Sequence, residues 1–254
     1  MHYFISRFLS SNKKYWLLIL VFVILEFTTR IASKCASLLQ HYFLFIDPDK
    51  VFSWGIIHHS IQMLILLGIM LLWLPHKPLQ EWGYRIGDFR KGIKWIFWFS
   101  LVWGGIYLIL TITNIVLKNT PVSYYDVTNN RNLIGELSFR GLLVGLSEET
   151  LFRAFPITVL AVFWSRKLNI FRFRLSQAGI IAAVIFVYAH ISYSFYPFII
   201  HNIDYVQLMS AAVLGLLYAI VFEETQSILY PIIIHNISDV FPVLSLYILH
   251  IVNH

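Results

Sequence analysis

Long runs of apolar residues dominate this chain, and their length restricts the folds it can adopt. A helix needs roughly 20 mostly apolar residues to cross the hydrocarbon core of a bilayer. Several runs reach that length, and only 13% of the 254 residues are charged, about half the share of a soluble domain. We predict an all-α, polytopic transmembrane helical bundle of about seven spans plus interfacial helical segments. The predicted spans are 15–37, 52–74, 95–117, 133–164, 178–200, 205–222 and 228–252.

The basic residues between the spans predict the orientation of the bundle, because Lys and Arg concentrate in cytoplasmic connections. With the N-terminus inside, the outer connections hold only Lys50, Lys118 and Arg131. The inner positions hold Arg7, Lys13, Lys14, Lys77, Arg85, Arg90, Lys91, Lys94, Arg166, Lys167, Arg172 and Arg174. The sequence thus predicts an integral membrane protein with a cytoplasmic N-terminus. Nucleic acid is excluded as a partner, because no basic surface outside the spans is long enough to bind it.

Three motifs place ionisable residues inside these apolar spans, where such residues are costly and usually functional. They read Glu148-Glu149-x-x-x-Arg153, Phe186-x-x-x-His190 and His235-x-x-x-Asp239. The i, i+4 spacing predicts an ion pair between Glu149 and Arg153. Glu148 points about 100° away from Glu149 on a helix and has no local cation. We therefore interpret Glu148 as a desolvated carboxylate suited to act as a general base.

Two hydrolytic routes fit this set of side chains. A metal ion such as zinc is commonly held by His and carboxylate ligands with one open position, and the candidates are Glu148, His190 and His235. Alternatively, Glu148 activates a water molecule directly, and a His or Asp side chain stabilises the oxyanion. The one-helix zinc signature H-E-x-x-H is absent from the sequence, so both routes stay open at this stage.

Other ionisable residues carry weaker patterns. Glu26 and Arg30, and likewise Glu136 and Arg140, have i, i+4 spacing and predict ion pairs along their helices. The run 133–164 is long for a single crossing, so it must tilt, bend or extend beyond the bilayer.

Several further candidates are set aside. His58 and His59 lie near the start of a span and are interpreted as interfacial. Glu223 and Glu224 are interpreted as a solvated helix terminus, and Cys35, the single cysteine, as inert. His76 and His254 have no partner pattern.

The three motifs, in this order on separate late spans, resemble the CPBP family. This family comprises type II CAAX prenyl endopeptidases and bacteriocin-processing or immunity proteins, also called Abi proteins. The resemblance covers about 133–242. It implies that Glu148 activates water, that Glu149 supports it while pairing with Arg153, and that Asp239 occupies the position that stabilises the oxyanion. The remaining catalytic positions implied are His190 and His235.

The resemblance implies a division of the chain and a function. Residues 1–132 are predicted to form N-terminal transmembrane helices and loops, and 133–252 a CAAX-protease-like catalytic core. The predicted activity is an intramembrane endopeptidase, with or without a metal, that cleaves a peptide or membrane-protein substrate near the cytoplasmic half of a bacterial plasma membrane. The alternative is a bacteriocin self-immunity or membrane scaffold protein of the same fold that needs no catalysis. The absence of internal repeats disfavours a transporter.

Overall fold

A computed structural model describes residues 12–73, 78–170 and 172–253, and the predictions for Arg7, His76, Lys77 and His254 lie outside these ranges. The described residues contain seven helical segments, two short 3₁₀ turns and two hairpins. The helical segments are α1 (Lys13–Leu39), α2 (Ser53–Trp73), α3 (Phe89–Val116), α4 (130–164), α5 (Gln177–Tyr188), α6 (Tyr205–Thr225) and α7 (Leu229–Asn253). Short 3₁₀ turns occupy Gln40–Phe43 and Leu79–Trp82.

The helices confirm the predicted membrane bundle. Within the described ranges, five helical stretches are long and apolar enough to cross a membrane: Lys13–Phe43, Ser53–Leu72, Phe89–Val116, Tyr205–Thr225 and Leu229–Asn253. The other two predicted spans correspond to α4, which is irregular, and to α5, which is shorter. Large apolar side chains such as Leu72 and Leu108 remain exposed on these helices, as expected for surfaces that face lipid.

Helix α4 contains two π-helical turns, at Arg140–Val144 and Thr150–Ala154. They flank a single α-helical turn, Gly145–Glu149. A π turn inserts one extra residue per turn and changes the direction of the side chains that follow, and it occurs frequently at functional sites. The two glutamates of the first motif therefore lie between two local irregularities of the longest helical run.

The span predicted at 178–200 is wrong in its second half. Helix α5 ends at Tyr188, and an antiparallel hairpin follows, with strands β3 (Ser192–Phe195) and β4 (Phe198–Asn202). Pro197 removes a backbone donor, and the surrounding aromatic and β-branched residues favour a strand over a helix. A second hairpin, β1 (Lys167–Ile170) with β2 (Phe173–Ser176), connects α4 to α5.

Polar side chains cap the starts of several helices. Asp47 is fully buried and accepts hydrogen bonds from the backbone N–H groups of Val51, Phe52 and Ser53 at the start of α2. Burial would raise the pKa of this carboxyl, but the hydrogen bonds from Ser53, Val51 and Phe52 hold it below its ordinary value. Ser176 caps α5 by accepting from Gly179 N (3.0 Å). These caps satisfy N–H groups that the helices leave unpaired.

One end of the bundle, here called the basic end, gathers the connections between α2 and α3, α4 and α5, and α6 and α7. Asp88 N donates to Thr225 O (2.8 Å), and Arg85 Nε donates to Gln226 O (2.8 Å). Ser176 N donates to Glu223 Oε2 (3.1 Å). Glu223 is therefore a capping partner with only 8% of its side chain exposed, which corrects its interpretation as a solvated terminus.

The opposite end, here called the far end, gathers the α1–α2 and α3–α4 connections and the end of α7. Arg131 Nη2 and Asn132 Nδ2 both donate to Asp49 Oδ2 at 2.9 Å. Asn253 Nδ2 donates to Thr120 Oγ1 (2.9 Å). Because α1 is long enough to cross the bundle and leads into the α1–α2 connection at the far end, its start lies at the basic end.

Two of the predicted ion pairs along helices are confirmed at this stage. Arg30 Nε lies 2.8 Å from Glu26 Oε2, and Arg140 Nε lies 2.6 Å from Glu136 Oε1. Both pairs depend only on helical spacing, which is why the sequence was sufficient to predict them.

Candidate active site

The paired glutamates of α4 face different surroundings. Glu149 is fully buried, and its Oε1 accepts hydrogen bonds from Arg153 Nη1 (2.9 Å) and His235 Nδ1 (2.6 Å). The predicted Glu149–Arg153 pair is thus confirmed. The Glu148 side chain is 21% exposed and lines a cavity. One glutamate is therefore an internal anchor, whereas its neighbour is accessible to a bound molecule.

The imidazole of His235, on α7, is held in one orientation from two directions. A carboxylate oxygen accepts hydrogen bonds, so the bond to Glu149 places a proton on Nδ1 of His235. The ring also stacks on Tyr218 with centroids 4.9 Å apart and planes inclined by 20°. Nε2 therefore faces the cavity, 3.7 Å from Glu148 Oε2.

Arg153 joins three helices in the interior. Its guanidinium is fully buried and lies over the rings of Phe186 (4.2 Å) and Tyr218 (5.1 Å), while Nη2 donates to Gly215 O (3.3 Å). Cation–π contacts in a desolvated setting are worth about 2 kcal/mol. The phenylalanine of the second motif thus supports the arginine of the first.

His190 lies in the turn that follows α5. The predicted span 178–200 would place His190 near the middle of a helix, and this is wrong because α5 ends two residues earlier. Its Nδ1 lies 2.8 Å from the carbonyl oxygen of Phe186, which only accepts hydrogen bonds, so Nδ1 carries the proton. The ring packs edge-on against Phe186, 4.6 Å between centroids. Nε2 is the other ring nitrogen, and His190 lines the same cavity as Glu148 and His235.

Asp239 lies on the Nε2 side of His235, with Oδ2 4.0 Å from that nitrogen. Arg140 Nη1 is 3.9 Å from the same Oδ2, and Arg140 also binds Glu136. Since Glu149 already holds Nδ1, Asp239 does not set the orientation of His235. Its place next to Nε2 and Glu148 keeps it among the groups that surround a bound molecule.

His59 of α2 also belongs to this group, although its sequence position was interpreted as interfacial. The residue is only 8% exposed, and Nε2 lies 4.0 Å from Glu148 Oε1. Within the described part of the chain, its Nδ1 has no hydrogen-bond partner. One sequence signal points to the site: Gln62 lies three residues later on the same helical face and donates to Ser147 Oγ (2.8 Å).

A close contact between α4 and α7 brings these motifs together. Gly145 N donates to Asn236 Oδ1 (2.7 Å). A methyl group at position 145 would lie 2.5 Å from Asn236 Oδ1 and 2.6 Å from the carbonyl oxygen of Ile232, so only glycine permits this approach. The residues on either side of this contact, Glu148 and His235, are thereby placed opposite each other.

The site lies at the base of a polar cavity of about 610 Å³. Exposed residues of the far end, including Lys50, Tyr124 and Gln207, line it together with the motif residues. The titratable residues on its walls are Lys50, His59, Tyr124, Glu136, Arg140, Glu148, His190, His235 and Asp239. A volume of this size is typical of a ligand-binding cleft.

The donor types around Glu148 suit a metal, but their arrangement does not. Ligand atoms of a tetrahedral zinc site lie about 2.0–2.1 Å from the ion and hence about 3.3 Å from one another. Here Glu148 Oε2 is 3.7 Å from His235 Nε2, and Glu148 Oε1 is 4.0 Å from His59 Nε2. Across residues 12–73, 78–170 and 172–253, no group of three His, Cys, Asp or Glu side chains is arranged to hold an ion. The proposed set Glu148, His190 and His235 is therefore not arranged as a metal site.

Comparison with known proteins matches part of the chain to a protein family. Residues 130–241 match the family model described as type II CAAX prenyl endopeptidase Rce1-like. No curated protein and no solved structure matches the chain. The matched segment begins at the first residue of α4 and ends within α7, so it contains all three motifs and leaves α1–α3 outside.

Proposed function

We propose, from the match of residues 130–241 to the type II CAAX prenyl endopeptidase Rce1-like family model, that this chain hydrolyses peptide bonds with a water activated by Glu148. The substrate is a peptide or a membrane protein. Catalysis is assigned to 133–252, whereas 1–132 supply helices that enclose the site, among them the one that carries His59. The observation that carries the proposal is the convergence of Glu148, Glu149 and His235 at the base of a polar cavity.

The water is bound between Glu148 and His190 in this proposal. Nε2 of His190 is an acceptor in the neutral imidazole, because Nδ1 donates to the Phe186 carbonyl group. It accepts one hydrogen bond from the water and directs the other hydrogen towards Glu148. The Glu148 carboxylate then removes that proton while the water oxygen bonds to the carbonyl carbon of the scissile peptide.

The negative charge that develops on the carbonyl oxygen needs a donor. Nε2 of His235 is a donor in the imidazolium form, and Glu149 at 2.6 Å stabilises that positive charge. The Asp239 carboxylate, 4.0 Å from Nε2, complements the same charge and is itself balanced by Arg140. Glu148 finally transfers its proton to the leaving nitrogen as the C–N bond breaks, giving a carboxylic acid and an amine, and the proton left on the acid then passes to the amine to give a carboxylate and an ammonium group.

The test replaces Glu148 by glutamine, which preserves size and hydrogen bonding but removes the base. Purified protein in lipid nanodiscs is incubated with a peptide library, and cleavage is read by mass spectrometry. A general base contributes about 10²–10⁴-fold, so cleavage is expected to fall by that factor. Glu224→Gln is the matched control, because Glu224 lies at the basic end, 3.9 Å from Lys91.

Two results would contradict the proposal. Undiminished cleavage by the Glu148→Gln protein would exclude Glu148 as the base. A cellular effect of the protein, such as protection against a bacteriocin, that survives this substitution would instead favour the immunity or scaffold alternative.

A further inference from the structure

The basic residues and the mouth of the active-site cavity lie at opposite ends of the bundle. Among the described residues, the basic end holds Lys13, Lys14, Arg85, Arg90, Lys91, Lys94, Arg166, Lys167, Arg172 and Arg174. The far-end connections hold Lys50, Lys118 and Arg131. Arg30 and Lys34 within α1 lie towards the far end, and the basic end remains richer when they are added.

The cavity opens at the far end. Gln40, Lys50 and Val51 of the α1–α2 connection line it, and so does Tyr124 of the α3–α4 connection, which is 80% exposed. Gln207, in the first turn of α6, lines it as well. All these positions are at the end that carries the Arg131–Asp49 ion pair. A molecule that reaches Glu148 through this cavity therefore comes from the far end.

The main apolar core separates the site from the basic end. Beyond Glu148 along α4, Phe155 and Leu160 are fully buried, and Phe155 stacks on Trp82 with centroids 6.1 Å apart. Ile228, immediately before α7, is fully buried too. A separate cavity of about 320 Å³ at the basic end is lined by residues such as Arg85 and Lys167, and none of the motif residues lines it.

We propose that the active site opens to the non-cytoplasmic face of the membrane and that its substrates are peptide segments presented on that side. Lys and Arg accumulate on the cytoplasmic side of membrane proteins, which places the basic end in the cytoplasm and the cavity mouth outside. The substrate class is an external peptide or the outer juxtamembrane segment of a membrane protein, and cytosolic C-terminal tails are excluded. This replaces the expectation of cleavage near the cytoplasmic half of the bilayer.

The side on which the cavity opens is inferred from geometry and charge alone, whereas the inference that the molecules entering it are substrates rests on the proposed endopeptidase function. The experiment therefore measures sidedness without requiring activity. Cys35 is the single cysteine, so Cys35→Ser gives a background free of thiols. Two single-cysteine variants are made in it: Tyr124→Cys at the cavity mouth, and Asn169→Cys in the exposed hairpin at the basic end.

Intact cells are treated with a membrane-impermeant maleimide, and a second sample is treated after permeabilisation. The Tyr124→Cys protein is expected to react in intact cells, and the Asn169→Cys protein only after permeabilisation. The reverse pattern would overturn the proposal, and equal labelling of both in intact cells would also overturn it, because it means two orientations. The same labelling pattern is expected when Glu148→Gln is added to both variants. The sidedness of the cavity can therefore be determined even if the catalytic proposal fails.

A second measurement connects sidedness to the substrate. In an otherwise active protein, a bulky impermeant maleimide attached to Tyr124→Cys in intact cells is expected to block cleavage, because the modified side chain fills the mouth. Reagent on Asn169→Cys after permeabilisation is expected to leave cleavage unchanged. Loss of cleavage from the Asn169 position alone would show that substrates arrive from the cytoplasm.

Discussion

The buried ion pair of Glu149 and Arg153 permits a quantitative test of how the site is held. Both side chains are fully buried, and their nearest charged atoms are 2.9 Å apart. Removing one partner of a buried pair costs about 3–5 kcal/mol, because an uncompensated charge stays in the interior. We expect Glu149→Gln to lower the free energy of unfolding by an amount in the upper part of that range. The Arg153 charge then loses its carboxylate partner and keeps the Gly215 carbonyl oxygen at 3.3 Å.

Arg153→Met is expected to cost an amount of unfolding free energy in the lower part of the same range. Glu149 keeps the hydrogen bond from His235 Nδ1, and methionine still packs between Phe186 and Tyr218. The double variant removes both charges, so it is expected within about 1 kcal/mol of the native protein, because a buried pair replaced by neutral groups is often near neutral. Additive effects would instead sum to roughly 6–10 kcal/mol.

Unfolding is measured in micelles by titration with a denaturing detergent and circular dichroism. Arg131→Met is the control, because Arg131 and Asp49 are also 2.9 Å apart but both are 43% exposed, and such pairs contribute about 0–1 kcal/mol. The double variant is expected to be folded yet inactive, since His235 has lost its carboxylate partner. An additive double variant, or single variants that cost no more than the control, would refute the reasoning.

Three further outcomes follow from local geometry. His59→Gln is expected to lower the cleavage rate by about tenfold or more without changing unfolding, because it alters the surroundings of the base; peptide cleavage and circular dichroism check both. Gly145→Ala is expected to destabilise the protein by about 1–3 kcal/mol, because the added methyl group collides with Asn236. Gly68→Ala is the control: its added methyl group meets nothing within 4 Å, so it is expected to be neutral or stabilising in the same unfolding assay. The pKa of Asp47 is lowered in the folded protein, so its carboxylate is expected to stabilise the fold fully above the ordinary pKa of about 3.9. That stabilisation is expected to disappear as the pH falls through the pKa of the folded state. The difference in unfolding free energy between the native and Asp47→Asn proteins, measured from pH 6 downwards, should therefore shrink. A difference that grows at low pH would contradict this assignment.

Helix α5 and the hairpin after it show where apolar content misleads. The stretch 178–200 is mostly apolar, and composition alone does not separate a full crossing from a short helix followed by two strands. The strand residues and Pro197 decide against the helix, and they also place His190 in a turn beside the cavity. His58 and His59 show a similar limit, because closeness to a helix start was taken as closeness to water. Both side chains are in fact buried against neighbouring helices.

The amino-acid sequence by itself determined the membrane-bundle class, the match of residues 130–241 to the Rce1-like family model and the three i, i+4 ion pairs, because apolar run length and helical spacing are local properties. Only the tertiary structure decided that Glu149 binds His235, that His59 reaches Glu148, and that the cavity opens at the far end. These contacts join helices far apart in the chain. They depend on how closely the helices approach, as at Gly145, and no spacing within one helix encodes that distance.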